Sequence, residues 1–319
     1  RGGGADIFRE LRLACKESQN IHEFEFVRSD ALYLRSNDFP ITNSDKVLPS
    51  VKKVICQPWF FVILILRALS LTFNSEIQKN IFLMPSPLDY FIHKILKLRD
   101  QRCYFLIHDA VPHPGEIWPR NRSIDWRLRE ADGVILLSNF VFGKVKNRMK
   151  TKNYKILGHP KFNFITLNPN QVHNKVSFAA CRLPILLFIG RIREYKGVEL
   201  LANYKEQIEE NFHLVIAGEG NLPDGLEGVE TINRWLTEIE IRELIARADV
   251  LIFPYTEASQ SGLIPSAIAL GKRLIVSEVG GLTEQLGTYK KVVTFDPKKS
   301  QTLLLALQKS AEELINNKR

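Results

Sequence analysis

From residue 183 onward, short apolar runs alternate with amphipathic stretches. This is the pattern of βαβ units feeding a parallel sheet. The runs predict strands at residues 185–189, 213–217, 229–232, 250–253, 273–276 and 292–295. Helices are predicted between them at 198–208, 238–246, 262–270, 282–286 and 299–316. Together these make a doubly wound α/β domain. The first half repeats the pattern less clearly, with strands predicted near 24–28, 81–84, 104–107, 133–137 and 154–157. Residues 59–71 are apolar all round, which fits a buried core helix, with a membrane-docking helix as the alternative.

At 319 residues the chain is too long for one α/β unit and suits two domains. We assign residues 1–160 to the first domain and 184–319 to the second. The linker is 161–183, which contains Asn168-Pro169-Asn170 and few apolar pairs. Arg1-Gly2-Gly3-Gly4 and the helical pattern at 5–18 are what normally follow the first strand of a Rossmann unit. No strand precedes them and the chain does not begin with methionine, so the opening strand is expected to be missing.

Composition is that of a globular protein, with 45% hydrophobic and 25% charged residues. Cys15, Cys56, Cys103 and Cys181 include no Cys-x-x-Cys pair. That argues against a zinc site or a disulfide framework and favours a reducing cytoplasm. The longest apolar run, 59–66, falls far short of the roughly 20 residues that span a bilayer, so neither a transmembrane helix nor a signal peptide is expected within it. The net charge of +9 is unevenly divided: residues 1–160 carry 25 Lys+Arg against 16 Asp+Glu, whereas 161–319 carry 19 of each. Such one-sided charge suits an anionic partner. The run Lys144, Lys146, Arg148, Lys150, Lys152 and Lys155 is ordinarily a solvated face, and could instead meet anionic lipid at the inner side of a membrane.

Candidate chemistry lies at the predicted strand ends, where open α/β sheets bind ligands. Phe188-Ile189-Gly190-Arg191-Ile192-Arg193-Glu194-Tyr195-Lys196-Gly197 opens from a strand into a polar loop and a helix. Arg191 and Lys196 suit a diphosphate, the first by its guanidinium fork and the second as a mobile point charge. Gly218-Glu219-Gly220 ends the next strand, where small residues permit close approach whether or not a ligand binds. Another buried strand runs into Pro254-Tyr255-Thr256-Glu257-Ala258-Ser259-Gln260-Ser261-Gly262-Leu263-Ile264-Pro265. There a carboxylate precedes a helix start whose N–H groups could face an anion. Gly280-Gly281 follows the strand after that.

These segments resemble the donor-binding domain of glycosyltransferase family 4, a retaining group with the GT-B fold, over residues 185–290. The resemblance implies two Rossmann-like doubly wound domains facing a cleft. It implies a nucleotide-diphosphate sugar (UDP- or GDP-linked) as donor, and no metal or other cofactor. Arg191 and Lys196 would bind the diphosphate, beside Gly190, Gly218 and Glu219. Glu257 would contact the transferred sugar and open the family's Glu-x7-Glu motif. Ser261, Gly262 and Leu263 would give main-chain donors to the phosphates, and Asn233-Arg234-Trp235 would lie where the base is read. The chain departs from the motif where the second Glu, which usually holds the ribose, is replaced by Pro265 followed by Ser266. In the first half, Leu106-Ile107-His108-Asp109-Ala110-Val111-Pro112-His113 resembles the family's His loop. His108 would touch the donor sugar, with Asp109, His113, Gly3 and Gly4 on the acceptor side. The implied reaction is transfer to a hydroxyl of a saccharide or lipid-linked acceptor, in bacterial surface polysaccharide or glycolipid synthesis.

Three other functions are compatible with parts of the sequence. A dinucleotide-dependent oxidoreductase lacks its Gly-x-Gly-x-x-Gly after a strand. A nucleic-acid-binding module has the charge but no recognised motif, so no nucleic acid is expected as a partner. A catalytically weak subunit that binds sugar-nucleotide or polysaccharide is motivated by Pro265.

Overall fold

The computed structural model describes residues 24–27, 79–83, 85, 89–111, 121–157 and 181–316. The expectations for Gly3, Gly4, His113, the apolar run at 59–71 and most of the linker lie outside these residues. The chain divides into two compact units, one comprising residues 1–137 and 141–157, the other 138–140 and 158–319.

In the first unit, β1 (Phe24–Val27), β2 (Lys79–Phe82), β3 (Arg102–Ile107), β4 (Gly133–Leu136) and β5 (Tyr154–Ile156) pair in that order, all parallel. Helices α1 (Asp89–Lys97), α2 (Asn121–Glu130) and α3 (Asn139–Val145, whose first two residues are counted with the second unit) fall between successive strands. The hydrophobic pattern of the sequence does not mark these three helices. α2 shows why: its inward face carries Ile124 and Leu128 together with a buried Arg127, so the apolar stripe is interrupted. Arg127 forms an ion pair with Asp89 of α1, each side chain at most 2% exposed, and its guanidinium lies 5.7 Å from the Phe105 ring centre. Burial pushes the Arg127 guanidinium down to about 9, so it remains a cation at neutral pH and the pair is ionic. Phe105 also stacks on Phe82 at 4.5 Å and meets Trp126 edge-on, closing the core between α1, α2 and the sheet.

The second unit holds six parallel strands: β6 (Ile185–Ile189), β7 (His213–Ala217), β8 (Glu230–Ile232), β9 (Val250–Phe253), β10 (Arg273–Ser277) and β11 (Val292–Phe295). Their spatial order is β11-β10-β9-β6-β7-β8. The central strands are buried on both faces, which is why they read as unbroken apolar runs. Helices α4 (Val198–Asn203), α5 (Lys205–Glu209), α6 (Glu238–Arg247), α7 (Leu263–Ala269), α8 (Leu282–Leu286) and α9 (Ser300–Asn316) provide the crossovers and the C-terminal segment. The continuous helix predicted over 198–208 is instead broken at Tyr204, whose backbone leaves the helical region at φ −116°, ψ 21°. Chain order reverses direction between β6 and β9, the topological switch point. The crevice outside the carboxyl ends of these two strands is where such sheets bind ligands.

Candidate functional site

The two strands at the switch point end in Gly190-Arg191 and Pro254-Tyr255-Thr256-Glu257. Arg191 and Glu257 are exposed, and Lys196 is half-buried at the end of a 3₁₀ turn, Glu194–Lys196. Both loops need glycine where they cross. Gly197 adopts φ 70°, and a Cβ there would sit 1.8 Å from the Pro254 carbonyl oxygen, so only glycine lets the Lys196 turn approach the β9 loop. A Cβ on Gly218, at the end of β7, would sit 1.8 Å from the Gly190 oxygen. Gly218 therefore brings the Gly218-Glu219-Gly220 loop against the Arg191 loop, where Ile192 N–H donates to the Glu219 carbonyl at 2.9 Å. Gly190 in turn faces the Leu263 side chain at the start of α7. The structure thus brings Gly190, Arg191, Lys196, Gly218, Glu219, Glu257, Ser261, Gly262 and Leu263 to the carboxyl-end side of one sheet.

The β9 loop is held from several sides by contacts with no signature in the sequence. Thr256 N–H donates to the Tyr195 carbonyl at 2.9 Å, tying the loop to the Lys196 turn. The Gln285 carboxamide on α8 grips the Ser261 backbone twice, its oxygen accepting from the N–H at 2.7 Å and its NH2 donating to the C=O at 3.0 Å. Gly280 and Gly281 pack directly on the Ala258 and Ser259 carbonyls. The Tyr255 and Ser261 hydroxyls lie 3.2 Å apart, and the buried Tyr255 ring has the Lys196 ammonium 3.7 Å from its centre. Burial pushes the Tyr255 phenol up to about 12, so it stays protonated.

The Ser261 N–H is engaged by Gln285, so it is the Gly262 and Leu263 amides that open the first turn of α7, where a helix offers no internal acceptor. Pro265 is buried within that turn, tolerated because its missing N–H would be an orphan there. The Ser266 hydroxyl is fully buried and donates back to the Gly262 carbonyl at 3.3 Å. Neither offers a carboxylate to a ribose.

Near β8, the Asn233 side chain exchanges two hydrogen bonds with the Gly220 backbone and so fixes the neighbouring loop. The Arg234 guanidinium is committed to Glu240 at 2.6 Å, and Trp235 beside it is 50% exposed. Glu240 also completes a capping box with Thr237 at the start of α6. Its carboxyl is held down to about 2, chiefly by the Arg234 guanidinium and then by the Thr237 backbone and hydroxyl. Because the folded carboxyl ionises more readily than the unfolded one, this stabilisation is present above the ordinary carboxylate range and fades as pH falls toward 2. The melting temperatures of the wild type and Glu240→Gln should therefore differ most near pH 6 and converge as pH falls to about 2. A gap that stays constant with pH would count against an ionised Glu240 in the native cap.

In the first unit, His108 follows β3 and its Nε2 lies 3.0 Å from the Leu83 carbonyl. A carbonyl only accepts, so Nε2 carries the proton. Burial lowers the imidazole's tendency to protonate, the nearby Asp109 carboxylate and the Leu83 carbonyl opposing this more weakly. His108 is accordingly a neutral, oriented imidazole, with Asp109 next to it in the chain. Among the described residues, no group of three or more His, Cys, Asp and Glu is placed to hold a metal ion, and no helix is long and apolar enough to cross a membrane.

Residues 183–313 match the family described as Glycosyl transferases group 1. Over 111 residues the chain is 34% identical to an uncharacterized glycosyltransferase of Methanocaldococcus jannaschii, a match covering 31% of this chain and 28% of that protein. A further match, 22% identical, is to a Bacillus subtilis glycosyltransferase provisionally assigned to teichuronic acid biosynthesis, covering 41% of this chain and 34% of the relative. The chain therefore spans about a third or less of the length of these curated relatives. Among solved structures it resembles the sucrose-phosphate synthase of Thermosynechococcus elongatus, with TM-score 0.65 and 16% identity, over 96% of this chain and 84% of that one. It also resembles the Anabaena protein HepE in complex with UDP-glucose, with TM-score 0.61 and 14% identity, over 81% of this chain and 75% of that one. Two Rossmann-like sheets of parallel strands and the likeness to these structures show a GT-B fold, and residues 183–313 are related to the group 1 glycosyl transferases.

Proposed function

We propose that the chain transfers a sugar from a nucleotide-diphosphate sugar to an acceptor hydroxyl with retention of anomeric configuration. The observation that carries this is the convergence of Arg191, Lys196 and the start of α7 at the switch point, with Glu257 on the same loop. The departing nucleoside diphosphate gains negative charge as the glycosidic bond breaks. Cations and backbone amides fixed in advance by the glycine contacts and the Gln285 grip would stabilise that charge without reorganising. Arg191 and Lys196 act on the diphosphate, the Gly262 and Leu263 amides assist, and Glu257 holds the transferred sugar. The exposed Trp235 face is available to a base. Arg234, held by Glu240, orients that segment. The neutral His108 would serve the donor sugar as a hydrogen-bonding group, not as a cation. The family resemblance supports placing Asp109, His113, Gly3 and Gly4 on the acceptor side, and chain length with the Asn168-Pro169-Asn170 stretch supports a division into acceptor and donor domains at 161–183.

Incubation with UDP- and GDP-sugars and saccharide or lipid-linked acceptors tests this, the anomeric configuration of the product being read by NMR. The account predicts nucleoside diphosphate release with an α-linked product from an α-donor; an inverted product would overturn retention. The second reading, a subunit that binds sugar-nucleotide without turnover, is favoured by Pro265 standing where the motif has a carboxylate. It predicts saturable binding with no release.

The acceptor is assigned to a membrane-linked saccharide because the positive excess lies in the first half. Lys144, Lys146, Lys150, Lys152 and Lys155 are all exposed, whereas Arg148 is drawn inward to Asp125 and the Ala110 carbonyl. Sedimentation with anionic vesicles should show binding that weakens steeply with added salt, because exposed charges are screened over about 8 Å at physiological ionic strength. Equal binding to neutral vesicles at high salt would contradict an electrostatic attachment.

A further inference from the structure

Lys196 and the Ser261 loop are 65 residues apart in the chain, yet one buried side chain touches both. Tyr255 is 1% exposed, so its ring and hydroxyl are fixed inside the loop. Its ring face lies 3.7 Å from the Lys196 ammonium, close for a cation over an aromatic ring. Its hydroxyl meets the Ser261 hydroxyl, and the Ser261 backbone is clamped by Gln285. Phe253 packs edge-on against the same ring at 6.0 Å, and Thr256 is bonded to the Tyr195 carbonyl, so the ring has little freedom to move away.

We propose that Tyr255 is a positioning residue which sets the Lys196 ammonium with its ring and, through Ser261, joins that ammonium to the loop carrying Glu257 and the start of α7. The inference deepens the proposed donor site and rests on it. A lysine stem alone has many rotamers, and the cost of ordering it would otherwise fall on ligand binding. The aromatic face restricts the ammonium before the diphosphate arrives, and the neutral phenol joins the two phosphate-facing loops without adding a charge.

Two substitutions separate the ring from the hydroxyl. Tyr255→Phe keeps the ring and should leave nucleoside diphosphate affinity within about threefold. It should lower kcat with little change in KM, and Ser261→Ala should reproduce that effect. Tyr255→Leu removes the ring and should weaken UDP or GDP binding about tenfold in the wild-type background, but by less than about twofold in a Lys196→Ala background, since the cation it positions is then gone. Calorimetry on the four chains reads this coupling, with melting curves to compare their folding. Equal losses in both backgrounds would overturn the proposal, because a merely structural tyrosine would cost the same with or without Lys196. A series of fluorinated phenylalanines at position 255 keeps the shape while draining electron density from the ring face, and tests the same point should the leucine chain not fold. Affinity should fall stepwise with each fluorine, and a flat series would overturn the proposal. If the wild-type chain binds neither UDP nor GDP, the donor-site reading itself fails, an outcome distinct from additive losses.

Discussion

Replacing Arg191 or Lys196 with alanine is expected to lower turnover by up to about a thousandfold while weakening nucleoside diphosphate binding by only about ten- to a hundredfold. Each substitution deletes a charge-assisted contact worth roughly 1.5–3 kcal/mol in the ground state. The larger loss in kcat follows because charge on the leaving diphosphate grows toward the transition state, where fixed donors are worth more. Glu257→Ala should separate the two quantities more sharply. Its carboxylate is assigned to the sugar, so UDP or GDP alone should bind almost as before while transfer collapses. Calorimetry with the free nucleotide and a transfer assay on the three variants decide the matter. A Glu257→Ala protein with near-normal turnover would remove that residue from the mechanism.

The second large effect is on stability and concerns the other unit. Arg127 and Asp89 are an ion pair taken out of water, with the cation also over the Phe105 ring. Arg127→Leu leaves the Asp89 carboxylate buried without its counter-ion, and Asp89→Leu strands the guanidinium. Either should cost about 3–5 kcal/mol, because an uncompensated buried charge is far more expensive than a missing surface contact. The double substitution, leucine at both positions, should recover much of that loss, since two apolar side chains suffer no desolvation. Denaturant unfolding of the single and double variants measures the coupling. Additive single losses would mean that the two side chains contribute independently of their pairing.

Legibility in the sequence follows directly from what is buried. Strands β6, β7 and β9 are read to the residue, because an inner parallel strand must be apolar on both faces and polar residues flank it. α2 escapes notice since its buried face includes Arg127, whose partner lies 38 positions away in α1. The break at Tyr204 is equally hidden, because no glycine or proline marks it. In the site, Arg191, Lys196 and Glu257 are legible as charges at strand ends. Tyr255 and Gln285 are not: a tyrosine after a strand reads as core, and the grip of Gln285 on Ser261 spans 24 residues with no local pattern. The Arg234 side chain is visible as a cation near the site, but its commitment to Glu240 becomes clear only when the capping box of α6 is seen.

The central claim is that the switch point of the second sheet holds the diphosphate of a sugar nucleotide through Arg191 and Lys196. Titration calorimetry of UDP and of GDP into the full chain, and into the Arg191→Ala/Lys196→Ala double variant, tests it most directly. The account predicts that at least one of the two nucleotides saturates a single site in the wild type, and that this heat is lost in a double variant whose melting temperature is unchanged. Equal binding of that nucleotide to both proteins, or no binding of either nucleotide to the wild type, would contradict it.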